Sequence, residues 1–143
     1  MTTFDQSMPT DIQQDDKIMM RIGRVCSVGM DLEILYFLDD SAPIPHFHVV
    51  DKLTLGRKFH ACIKIESPEY YHYIIEQYEY FHHNGQEGKL SDEQCSQLIN
   101  ALNQIEHFDT CTNWEYLLHA WNKNNPKREV NLHTPMPNYK ALR

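Results

Sequence analysis

No stretch of this 143-residue chain reaches the roughly 20 consecutive apolar residues needed to cross a bilayer, so no helical membrane span is expected. The first residues, MTTFDQSMPTDIQQDD, offer neither a basic nor an apolar secretory region, and a soluble, cytoplasmic protein is expected. Glycine is scarce and scattered, at Gly23, Gly29, Gly56, Gly85 and Gly88. No glycine-rich loop can therefore cradle a phosphate, which sets nucleotide hydrolysis aside. The cysteines, Cys26, Cys62, Cys95 and Cys111, form no CxxC pair, which argues against both a zinc knuckle and a disulfide framework. Reduced thiols are expected.

Positive charge is also in short supply. The net charge is −7, with −4 on residues 1–16, −7 on residues 17–122 and +4 on residues 123–143. Duplex DNA requires a cationic face, and the body of the chain has none, so nucleic acid could be met only through the basic tail. An acidic body suits instead a partner for a basic protein.

What is present is a patterned core, with 41% hydrophobic and 11% aromatic residues. Residues 1–16 are acidic and aperiodic and read as a flexible leader. A single α+β domain is expected over residues 17–125, with an antiparallel sheet of about four strands packed by two or three helices. KIMMRIGRVCSV and DLEILYFLDD read as strands around Gly29, followed by HFHVV and KFHACIKIE. In SPEYYHYIIEQYEYFHHNG, Ser67 as a cap, Pro68 at the first helical position and Tyr71, Ile74, Ile75 and Tyr78 on one stripe favour a helix, although tyrosines also suit strands. Ser91 with Gln94, then Thr112 with Glu115, are two capping boxes. Each opens an apolar stripe: Leu98, Ile99, Leu102 and Ile105, then Trp114, Leu117, Leu118 and Trp121. Residues 126–143 read as an extended arm whose Pro135, Met136, Pro137 and Tyr139 are candidate partner-binding anchors.

The chemistry concentrates in PIPHFHV. In a strand, His46 and His48 share a face. If HFHVV pairs with KFHACIKIE so that Phe47 and Val49 join Phe59, Ala61 and Ile63 in the core, then His46, His48, His60 and Cys62 gather on the opposite face. Imidazole and thiolate are zinc-type transition-metal ligands, so this set is a candidate metal site. A catalytic histidine pair and a Cys62 nucleophile beside His46 are alternatives, as is a plain polar sheet face stacked against the aromatic stretch at residues 70–81, which is the simplest reading. His82 and His83 are candidate accessory ligands or a surface pair. No HExxH, EF-hand loop or paired CxxC accompanies them.

The order PHFHV, KFHACIKI, PEY, LSDEQ and TNWEYLLHAWNKNNP resembles a small bacterial family of unknown function found beside toxin–antitoxin and mobile-element genes, whose members carry a PPHFHV-like strand. The resemblance implies a compact α+β fold and a prokaryotic accessory role, with His46 and His48 at the positions that match its motif. Taken together, the expectation is a non-enzymatic accessory or regulatory protein that binds a protein partner, with a metal-binding protein or metal-dependent enzyme as the alternative.

Overall fold

Strand β3, Leu32–Phe37, is buried along its whole length, as a central strand covered on both faces must be. Around it the computed structural model, which describes residues 10–14, 18–38, 44–67, 69–71, 88–138 and 142, builds one antiparallel meander. Its strands are β1 (Thr10–Gln14), β2 (Ile18–Val28), β3, β4 (His46–Asp51) and β5 (His60–Lys64), in that order across the sheet. The expected small α+β fold is present. Strand β1 lies within the acidic stretch read as a structureless leader, and pairs with β2 from Thr10↔Ile22 to Gln14↔Ile18.

Gly29 turns β2 into β3 with φ 61°, a left-handed conformation that glycine adopts without steric cost. At Gly23 a Cβ would overlap the Tyr36 ring, so only glycine lets that ring cross β2. Between Arg24 and Cys26 the β2–β3 register shifts, and the ring of His107 donates to the carbonyl of Val25 at this bulge.

Among the described residues two helices follow, α1 (Asp92–Leu102) and α2 (Asn113–Asn124). Both expected capping boxes are formed: Ser91 Oγ accepts from the Gln94 amide at 3.1 Å, and Thr112 Oγ1 from the Glu115 amide at 3.1 Å. Asn113 joins the helices by donating to the Ala101 carbonyl at 2.8 Å and to Glu106 at 2.7 Å. Ile105, read into the α1 stripe, lies past the helix end and is exposed. Neither helix is long and apolar enough to cross a membrane.

The main core forms where Ile34, Phe47, Val49, Ala61 and Ile63 meet Leu98 and Leu102 of α1 and Trp114, Leu117 and Trp121 of α2. A smaller apolar cluster, Ile22, Leu35, Phe37, Val50 and Cys62, is buried on the other face, with Leu55 and Tyr71 packed against it. The sheet is therefore closed on both sides.

One expectation changes. The helix read from Ser67 and Pro68 does not begin there: Tyr70 bridges Ile63, the Lys64 amide donates to the Glu69 carbonyl at 2.9 Å, and the Tyr71 amide donates to the Cys62 carbonyl at 2.7 Å. Backbone demand at the edge of β5 outweighs local helical pattern in residues 69–71, and residues 72–87 lie outside the described set. Residues 128–136 of the arm lie against their own domain. Trp114 donates its indole N–H to Thr134 O at 2.7 Å, Trp121 to Arg128 O at 2.8 Å, and Asn122 exchanges two hydrogen bonds with Val130. Pro135 is exposed, Met136 is half-buried against the core, Pro137 is buried, and Tyr139 lies outside the described residues.

The β4–β5 connection is organised by Asp51. Its carboxylate accepts from the Thr54 amide at 2.8 Å, the Thr54 hydroxyl at 2.7 Å, the Gly56 amide at 3.0 Å and the Phe59 amide at 3.1 Å. Burial pushes this carboxyl upward in pKa, but these four donors outweigh it and hold it below its ordinary 3.8. Leu55 takes φ 54° within the loop, a strain that its packing on the smaller apolar cluster offsets.

Asp51→Ala should cost about 2–4 kcal/mol in denaturant unfolding, because three backbone amides and a hydroxyl lose a charged acceptor. Because the folded carboxyl is depressed, its contribution is full above the unfolded value of 3.8 and is lost as pH falls through the folded value. Stability of the wild type should therefore fall more steeply than that of Asp51→Asn in acid below about pH 4. Parallel acid curves would refute the role given to Asp51.

Candidate metal centre

The register of β4 against β5 decides which side chains meet. His48 stands opposite Cys62, Phe47 opposite Ile63, Val49 opposite Ala61, and Val50 opposite His60. Phe47, Val49, Ala61 and Ile63 take the helix side, which sends His46, His48, His60 and Cys62 to the other face. The expected grouping is present, but not on an open surface. His46, His48 and His60 are at most 2% exposed, and Cys62 is fully buried.

Within the group, three residues converge. One ligand atom each from His46, His48 and Cys62 lies within 4.8 Å of the others, so this set can hold a metal ion. His60 stands behind them, with its Nε2 at 2.9 Å from Nδ1 of His48. The proline turn before β4 has a direct part in the arrangement. Nδ1 of His46 donates to the carbonyl of Ile44 at 2.7 Å, which assigns the proton to Nδ1 and puts the lone pair on Nε2. If His48 likewise donates from Nδ1 to His60, its Nε2 is also in the ligand form. Metal-binding histidines are oriented in this way, the distal N–H held by a carbonyl or another acceptor.

The surrounding rings fix the imidazole planes. Phe37 stacks on His48 at 3.9 Å between centroids, and the edges of Tyr71 and Trp121 meet His46 at 5.3 Å and 5.5 Å. A crevice leads to His46 and His48 between Tyr36 and Phe37 on one side and Trp121, Asn124 and Asn125 on the other, but it is too narrow to admit water. Among the described residues no carboxylate joins the three ligand atoms. Around a tetrahedral zinc ion the same ligand types sit about 3.4–3.6 Å apart. The three atoms here lie within 4.8 Å of one another, and an ion would draw them to such distances.

The other cysteines are placed for different work. Burial, with Glu106 and Glu33 nearby, pushes the Cys26 thiol up to about 12, which makes it a poor nucleophile and a poor ligand. Cys95 donates to the Leu142 carbonyl and Cys111 to that of Thr112. His82 and His83 lie outside the described residues.

Sequence reasoning found the four polar residues and, in Tyr71, one ring of the aromatic stretch at 70–81 beside them, but not the walls supplied by Phe37 and Trp121. Phe37 reaches His48 because Leu35 of β3 is the register partner of His48, a pairing that no local pattern encodes. Trp121 was legible as a helix-stripe residue, and its contact with His46 depends on where α2 crosses the sheet. Compared with known proteins, the chain matches no family model, no curated protein and no solved structure.

His60 touches the candidate ligand set through His48 and would orient its imidazole toward an ion bound there. His60→Leu should therefore weaken metal binding by about 10–100-fold in a chelator competition assay, and His60→Gln, which keeps a hydrogen-bonding group, should recover part of the loss. Equal affinities for wild type and His60→Leu would remove His60 from the site.

Proposed function

We propose that this protein is a non-enzymatic, metal-binding accessory protein, and that its ion is a zinc-type d10 metal, Zn(II) or Cu(I), held by His46, His48 and Cys62. One observation carries the reading: three soft or borderline ligands converge in a buried site, with the Nδ1 proton of His46 already assigned to a carbonyl. A buried polar cluster has a high desolvation cost, and a bound ion would compensate it for all three groups at once.

The same geometry favours binding over turnover. The crevice at His46 and His48 is narrow and walled by Tyr36, Phe37 and Trp121, a shape suited to holding a small ion rather than a substrate. Cys62, completely buried, is equally ill-placed as a nucleophile. A prokaryotic accessory role, with a protein partner in a toxin–antitoxin, defence or mobile-element setting, rests on the family resemblance and on the acidic body of the chain. Of the arm's anchors, Pro135 is exposed and open to a partner, whereas Met136 packs on the core and Pro137 is buried.

Elemental analysis tests the reading. Protein made without a histidine tag and equilibrated with Zn(II) or, anaerobically, Cu(I) should retain about one ion per chain after desalting, and a His48→Gln/Cys62→Ser double variant should retain almost none. Wild-type protein holding less than about 0.1 of either ion per chain would overturn it.

A further inference from the structure

We propose that the end of the sheet carrying Met30 and Leu53 is a self-complementary surface on which a second copy of this chain docks, giving a two-fold dimer. None of its residues belongs to the candidate metal centre. Its physical basis is the juxtaposition of a protruding leucine flanked by cations with a cavity that carries carboxylates.

Two connections meet at this end of the sheet. Leu32, the first residue of β3, is the register partner of Asp51, the last of β4, so the β2–β3 turn and the β4–β5 loop lie side by side. The amide of Lys52 donates to the carbonyl of Asp31 at 2.8 Å and joins them. Each connection presents one large apolar side chain to solvent: Met30 is 89% exposed and Leu53 83%. Surface apolar residues are ordinarily scattered singly, whereas these two flank a hydrogen bond between their loops.

The β4–β5 loop buries one leucine and presents the other. Leu55 packs on the smaller apolar cluster although this requires a left-handed φ of 54°. Leu53 stays outside, on a loop whose shape the hydrogen bonds to Asp51 fix. A side chain held outward on a rigid loop loses little conformational freedom on docking. Around it, residues 52–58 carry Lys52, Arg57 and Lys58 and no acidic residue, in a chain of net charge −7.

Beside this knob lies a cavity of about 310 Å3, between the β2–β3 turn and the start of α1. Val28, Met30 and Leu32 give it an apolar lining, and Asp31, Glu93 and Gln97 a polar one. Both walls are fixed. Gly29 lies so close to the Gln97 side chain that a Cβ there would overlap it, and the capping box of Ser91 and Gln94 sets the start of α1.

Knob and cavity match in size and in charge. The cavity is ample for one leucyl side chain, which would cover Met30, while Lys52 and Lys58 would face Asp31 and Glu93. Among the described residues these four charged groups form no ion pair within their own chain. Because knob and cavity are neighbours on one chain, a two-fold axis between them lets each copy fill the other, and the contact closes as a dimer. A partner of uniform charge would be repelled by one half of this surface; a second copy is attracted by both.

Sedimentation equilibrium of the full chain at about 5–500 μM tests the proposal. The apparent mass should rise from the 17.0 kDa of one chain toward twice that value, with a dissociation constant on the order of 10–100 μM, as suits a small interface. Leu53→Glu should weaken the dimer by at least about tenfold, and Met30→Lys is a second variant of the same kind. Both side chains are exposed, so circular dichroism should show the fold retained. Lys52→Glu/Lys58→Glu and Asp31→Lys/Glu93→Lys chains should each stay monomeric alone and associate when mixed, because one then presents mainly acidic groups and the other mainly basic ones. A wild type that stays monomeric throughout, including one that instead binds another protein at Leu53, overturns the proposal. So does a dimer that Leu53→Glu leaves intact, or a pair of charge variants that fails to associate when mixed.

Discussion

The molecule depends on the carboxylate of Asp51. Four donors from Thr54, Gly56 and Phe59 converge on it and convert the connection between β4 and β5 into a loop of fixed length and shape. A fixed loop fixes register, and register in a sheet of period two decides which face every side chain occupies. Slipping this hairpin by one residue would send Phe47 and Val49 away from the helices and turn His46 and His48 into the main core. The hydrophobic demand of the α1 and α2 side therefore reinforces what the loop imposes, and both place the imidazoles and the thiol together.

The second face of the sheet shows how a polar cluster is retained inside a fold. Three histidines and a cysteine are buried beside Leu35, Phe37 and Val50, where unsatisfied polar atoms would each cost about 1–3 kcal/mol. Hydrogen bonds from His46 to Ile44 and between His48 and His60 offset part of that cost, and ring stacking by Phe37 offsets more. Side chains held in this way are ordered in advance, which would reduce the conformational entropy lost on binding an ion there.

That site is also tied to the C-terminal arm. Trp121 lies edge-on to His46 and donates its indole N–H to Arg128, so one side chain touches both the imidazole and the segment that wraps back over α2. Trp114 and Asn122 hold the same segment at Thr134 and Val130. With Leu142 fully buried and its carbonyl accepting from Tyr70, this segment packs as part of the domain.

Local sequence determined a good deal: the alternation in HFHVV and KFHACIKIE, both capping boxes, the helices they open and the face on which the histidines gather. Those features are encoded by side-chain period and by bonds between near neighbours, which act before the chain is folded. Tertiary structure alone decided that His60 stands behind His48, that Phe37 and Trp121 wall the imidazoles, and that residues 128–136 lie against their own domain. It also turned residues 69–71 into an edge segment along β5, against their helical pattern, and made Thr10–Gln14 a strand. Each of these follows from contacts between segments distant in sequence, whose strength is set by burial and by unpaired backbone groups at a sheet edge rather than by any local preference.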